Sequence, residues 1–93
     1  LKVADAQKPF FIYLAPSMPH DPRTAEPEFH KLYPPEKITL SKNFSAEVPL
    51  DFGVLNIRDE KLAAYPRRPE EMKKHLGDYY ATITSLDHHL GRI

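Results

Sequence analysis

The sequence has no cysteine among its 93 residues. That excludes disulfides, thiolate metal sites and cysteine nucleophiles together. It has no charge excess either: thirteen basic residues balance thirteen acidic ones, so the formal net charge is zero. A neutral balance gives no electrostatic footprint for nucleic acid or an anionic membrane, and neither is expected as a partner. It also leaves little repulsion to keep a small chain soluble. There is no apolar run long enough to cross a bilayer. No signal peptide is legible. The chain opens on Leu1 rather than methionine, so a targeting segment upstream is compatible with it. Ninety-three residues are enough for one small domain, and a domain of that size buries only about two-thirds of the surface its unfolded chain exposes.

Proline is abundant, and six of the ten prolines (Pro16, Pro19, Pro22, Pro27, Pro34 and Pro35) fall between positions 16 and 35. Proline fixes φ and donates nothing to a ladder, so this stretch reads as an irregular but stiff loop. One helical turn is expected within it, from Pro27 to about Tyr33, with Phe29, Leu32 and Tyr33 facing inward. Before the loop, positions 9–15 contain Phe10-Phe11-Ile12-Tyr13-Leu14-Ala15. The run is apolar on both faces and rich in β-formers, as a central strand of a parallel sheet requires. Such a strand needs neighbours on either side, and the expectation is therefore of an internal piece of a larger domain. Positions 36–68 read as a long connection with little regular structure. Ile38 and Leu40 would form a short extended piece, while Phe44, Val48, Leu50, Phe52, Val54 and Leu55 pack apolar side chains without a clear period.

The clearest element lies at 69–92. Met72, Leu76, Tyr79, Ile83, Leu86, Leu90 and Ile93 alternate in fours and threes, which draws one apolar stripe along a helix. Pro69 suits the first turn, and Glu70 and Glu71 complement the positive end of the helix dipole. Glu70 stands four residues before Lys74, a spacing worth a few tenths of a kcal/mol. Gly77 costs about 1 kcal/mol of helix propensity and is compensated if another backbone approaches closely there. A strand, a long loop and a helix make one crossover of an α/β protein, whose ligand site lies beyond the carboxyl ends of the strands. The segment after Ala15 is therefore where chemistry is expected.

That segment reads Pro16-Ser17-Met18-Pro19-His20-Asp21-Pro22-Arg23. Lys8-Pro9-Phe10-Phe11-Ile12-Tyr13-Leu14 followed by Pro19-His20-Asp21-Pro22 resembles a segment of the formylglycine-dependent sulfatases. These enzymes belong to the alkaline phosphatase superfamily and carry K-P-F-F, a hydrophobic strand, and then P-H-x-P. The far end, Asp78-Tyr79-Tyr80-Ala81 through Ile83, Leu86-Asp87 and Leu90-Gly91-Arg92-Ile93, is similar to the family helix written Y-Y-A-x-I-x-x-L-D-x-x-[LV]-G-x-[IVL]. The two matches stand in family order and cover both ends of the chain, while the middle matches only loosely.

The resemblance implies a large mixed α/β sheet in the complete domain. It also implies hydrolysis of sulfate esters, of a sugar or a small alcohol, by a formylglycine made in a [C/S]-x-P-x-R motif, with bound Ca²⁺ polarising the sulfate. His20 matches the family histidine that contacts the sulfate and helps the leaving oxygen depart. A protonated imidazole has the chemistry for this: it hydrogen-bonds an anionic oxygen and donates a proton to an alkoxide. Family habit places bacterial members in the periplasm or outside the cell and others in the lysosome. The chain departs from the family in lacking the nucleophile motif: Ser17 precedes Met-Pro, and Ser41, Ser45 and Ser85 have no matching context. The family's acidic metal ligands and its D-[HN]-G segment are missing too. The expected partner is thus the rest of a sulfatase domain, with no metal or cofactor bound by this segment alone.

Other readings compete at individual residues. A loop histidine without its flanking motif is ordinarily a solvated side chain. Arg23 is a candidate for gripping an anionic substituent of the substrate, against a plain salt-bridged arginine. Asp21 reads as a turn-former before Pro22. His75, His88 and His89 do not share a helix face in a way that suits a metal, and read as rim residues. For the chain as a whole, the alternatives are a phosphodiesterase or phosphonate hydrolase of the same superfamily, and a non-catalytic binding module derived from a sulfatase.

Overall fold

The computed structural model describes residues 7–50, 53 and 57–93. Two α-helices organise them: α1, Pro27–His30, and α2, Pro69–Leu90. Short 3-10 turns sit at Pro35–Lys37 and Asp59–Leu62. Both helices begin at a proline, whose fixed φ suits the first position and whose missing N–H is one the helix leaves unbonded anyway. In α2, Glu70 and Glu71 occupy the first turn and His88 and His89 the last, each at the end of the dipole that favours it. The Gly91 N–H closes the helix on the Asp87 carbonyl at 2.9 Å.

The expected strand at 9–15 is not formed. Residues 9–17 have no regular structure. Their side chains stand in solvent, Phe11 at 89% and Tyr13 at 83% exposure. The reason is geometric. A strand exists only through hydrogen bonds to a neighbour, and among the described residues no other segment lies extended beside this one. The α/β layering expected from the sequence is therefore absent from the described residues, which are helical and irregular. The radius of gyration, 18.2 Å, exceeds the roughly 12 Å of a compact domain of this length.

The small core lies where α1 and the Pro35–Lys37 turn rest on α2. Phe29, Ile38 and Ala81 are buried there. So are Gly77, Thr82 and Ser85, so α2 buries its small-residue face at 77, 81 and 85. The larger stripe is only partly covered. Met72, Leu76, Tyr79 and Leu86 are half-buried, whereas Ile83, Leu90 and Ile93 are exposed. The stripe at 72/76/79/83/86/90 is thus only partly covered by the described residues. Periodicity marks the side of a helix that prefers burial, but small residues decide where backbones meet. At Gly77 the approach is close enough that an added Cβ would lie 2.6 Å from the Tyr33 carbonyl oxygen.

Other expectations are met unevenly. Leu32 is exposed rather than inward, while Tyr33 is half-buried and its hydroxyl bonds Thr84 Oγ1 at 2.8 Å. Ile38 is extended, with φ −80° and ψ 126°, and it is buried. Val48 and Leu50 are exposed, so the packing assigned to them is not made. Phe52, Val54 and Leu55 lie outside the described residues. Lys74 pairs with Asp78 at 3.0 Å instead of with Glu70. The connection before α2 is tied back by two bonds: the Arg67 N–H donates to the Ala46 carbonyl at 2.8 Å, and the Val48 N–H to the Tyr65 hydroxyl at 3.2 Å.

Candidate active site

The loop after position 15 leans on α2 at its far end. Its first turn closes with the His20 N–H donating to the Ser17 carbonyl at 3.0 Å. The His20 ring is well exposed, at 66%. Nδ1 sits 2.8 Å from the Asp21 carbonyl oxygen and 3.2 Å from the Asp21 carboxylate. Both of those partners accept, so a proton belongs on Nδ1. Asp21 thereby does more than shape a turn: it orients the imidazole beside it. The charge of Asp21 also reaches Arg58, whose guanidinium is held above its ordinary pKa first by the hydrogen bond to Asp59 and, more weakly, by Asp21.

Arg23 points elsewhere. Its guanidinium carbon lies 5.9 Å from the centre of the Tyr79 ring on α2. It lines a cavity of about 370 Å³ with Asp59, Arg67, His75, Tyr79 and their apolar neighbours, and His20 is not among the lining residues. The structure thus separates the two predicted site residues: one is at the open tip of the loop, the other in a cleft between loop and helix.

Sequence reasoning missed the residue that anchors the loop. Glu26, just before α1, accepts hydrogen bonds from Ser85 Oγ at 2.7 Å and from His89 Nε2 at 2.9 Å. The available signal was the i, i+4 spacing of Ser85 and His89, which puts both on one face of α2. These bonds, from His89 first and Ser85 second, hold the Glu26 carboxyl at about 2 instead of 4.5. A second bridge runs beside it: Asp78 meets His30 Nδ1 at 3.2 Å and Lys74 Nζ at 3.0 Å. His88 stacks obliquely on Phe29 with ring centres 5.5 Å apart. His89 and His88 are therefore structural contacts of the loop and α1.

The Glu26 anchor carries a pH signature. Its folded pKa is depressed, so its stabilisation is complete above about pH 4.5 and is lost as the pH falls toward 2. We expect the urea midpoint of the chain, followed by helix circular dichroism, to fall through that window. Glu26→Gln should start lower at neutral pH and show a shallower acid dependence. Identical acid slopes for the two proteins would show that Glu26 is not the group responsible.

A proline-bounded histidine loop, anchored on a long helix and flanked by an arginine-lined cleft, defines a loop-on-helix unit. The family model described as Sulfatase matches residues 1–93, and the chain belongs to the sulfatase family. No curated protein and no solved structure matches it. Sulfatases generally use formylglycine and a metal, and neither the serines of the sequence nor the acidic and histidine side chains of the described residues fit these groups. The sequence offers no cysteine, and no serine lies in the modified motif. Among the described residues no three His, Asp or Glu side chains cluster as metal ligands would.

Proposed function

We propose that this chain is the leaving-group side of a sulfatase active site, and that the nucleophile and the Ca²⁺ ligands are carried by other parts of a longer polypeptide with an alkaline-phosphatase-like fold. The observation that carries the reading is His20. It stands in the Pro19-His20-Asp21-Pro22 segment of a chain matched by the sulfatase model throughout, with Nδ1 committed to Asp21 and the ring well exposed. Held this way and protonated on both nitrogens, the imidazolium donates its Nε2–H to a sulfate oxygen and then passes that proton to the departing alkoxide, leaving a neutral ring with its proton on Nδ1. Prolines on both sides restrict the loop, so the ring is positioned before substrate arrives. Arg23 serves the alcohol part of the same substrate.

The bare segment of Phe10 to Leu14 supports the incomplete-domain reading. It exposes five large apolar side chains in a row, a surface that strand neighbours in a sheet would cover. By this reading the bacterial habit of export or the lysosomal habit of other members extends to the complete protein.

The division of labour is tested on the chain alone. Purified, it should hydrolyse no aryl sulfate and bind Ca²⁺ no better than its His20→Ala variant. Turnover above that variant, followed as nitrophenol release, would mean that a nucleophile is present here after all.

A further inference from the structure

Glu26 stands at the N-cap position of α1, where a side chain ordinarily bonds the first N–H groups of its own helix. It makes no such bond. Its two carboxylate oxygens go to α2 instead, one accepting from Ser85 Oγ at 2.7 Å and the other from His89 Nε2 at 2.9 Å. Ser85 is buried, so the contact reaches the face on which α2 packs. Two charge-assisted bonds to one rigid helix fix the direction of the carboxylate as well as its position.

What this anchor holds is the loop more than α1. Phe29 is buried, with its ring 5.5 Å from that of His88, and it seats α1 on α2 without Glu26. Glu26 is the residue that joins the loop to that helix. Upstream of it Arg23 lies over the Tyr79 ring, a contact that constrains direction far less than a hydrogen bond does. The five residues between His20 and Glu26 carry the constraint forward. Pro22 has a fixed φ, Asp21 before it is disfavoured from the helical region, and the Thr24 N–H donates to the Pro22 carbonyl at 3.0 Å. A displaced Glu26 therefore shifts the His20 turn as a piece, with little slack to absorb the movement.

We propose that Glu26, held by Ser85 and His89, is a positioning residue for His20: it sets where the imidazole meets the leaving oxygen. The role rests on the proton donation assigned to His20 above. It brings two residues of α2, remote from His20 in sequence, into the control of turnover. A misplacement of about 1 Å at a reacting group can cost about a hundredfold in rate.

The complete polypeptide containing this segment is assayed for kcat/KM on 4-nitrophenyl sulfate and on phenyl sulfate. The variants are Glu26→Ala, Glu26→Gln, His20→Ala and the combination of His20→Ala with Glu26→Ala. Nitrophenolate leaves more readily without a proton than phenolate does, so a displaced acid costs the phenyl ester more. Glu26→Ala should lower the phenyl sulfate rate by about tenfold or more and the nitrophenyl rate by less, with native helix circular dichroism unchanged. Glu26→Gln keeps an acceptor for Ser85 or His89 and should retain part of the rate. If Glu26→Ala loses helix signal, Glu26→Gln and His89→Gln carry the same comparison between the two esters. In the His20→Ala background the Glu26 change should cost less than about twofold, because the group it positions is gone. Equal losses on both esters, or a full further loss on top of His20→Ala, would mean a structural role only and overturn the proposal. So would an unchanged Glu26→Ala rate beside a deficient His20→Ala. A His20→Ala enzyme unchanged on both esters would instead overturn the reading of His20, and the positioning role with it.

Discussion

In the complete sulfatase, replacing His20 with alanine is expected to lower kcat/KM by about a hundred- to ten-thousand-fold, the range for losing a positioned acid–base group. The same change should leave the fold intact. The imidazole is two-thirds exposed, and among the described residues its bonds run to its neighbour Asp21. Thermal unfolding of the variant should match the parent within about 0.5 kcal/mol, as surface substitutions generally do. His20→Asn is a useful companion, because it keeps a hydrogen-bond donor near the sulfate but cannot supply a proton at neutral pH. Asp21→Ala should fall between the parent and His20→Ala, since it removes one of the partners that hold Nδ1 while the imidazole and the carbonyl of residue 21 remain.

The second large effect concerns the fold. Gly77→Ala is expected to destabilise the packing of α1 on α2, against the helix propensity of the residue. In a free helix the change would add about 1 kcal/mol of stability. Here the new Cβ would stand 2.6 Å from the Tyr33 carbonyl oxygen, a backbone atom that cannot turn aside. Overpacking of this kind costs about 1–3 kcal/mol, which matches or exceeds the propensity gain. For a chain of this size each kcal/mol lowers the unfolding midpoint by roughly 4–8 °C. Gly77→Val, bulkier and a poorer helix former, should be worse. Gly91→Ala is the control: its Cβ would meet the Asp87 carbonyl at 3.4 Å, an ordinary contact, and should be tolerated. A stabilised Gly77→Ala chain would mean that the two backbones do not meet there.

These two sites show what could and could not be read from the sequence. α2 was legible because twenty-two residues with a sustained period, a proline at the start and acidic residues beside it all agree. The family was legible because two motifs bracket the chain. The strand was not, since β-formers indicate what a segment would do beside a partner and the partner is a property of the surrounding sheet. The face on which α2 packs within the described residues was not legible for a related reason. The large apolar stripe is a preference awaiting a surface, whereas Gly77, Ala81 and Ser85 mark the contact that the chain makes by itself. At the candidate site, the turn that holds His20 among prolines could be read locally. The Glu26 anchor could not, because it joins positions 59 and 63 residues apart. Arg23 was recognised by charge alone, and only the fold shows that it turns away from His20 to lie over Tyr79.

Whether His20 gives a proton to the leaving oxygen is the central point. The decisive measurement is kcat/KM for the complete enzyme and its His20→Ala variant on two substrates, 4-nitrophenyl sulfate and an alkyl or sugar sulfate. Nitrophenolate leaves without a proton, while a sugar alkoxide needs one. The loss on the sugar sulfate should therefore exceed the loss on the nitrophenyl ester by about tenfold or more. Equal losses on both would reduce His20 to a sulfate-binding residue, and unchanged rates on both would remove it from the active site.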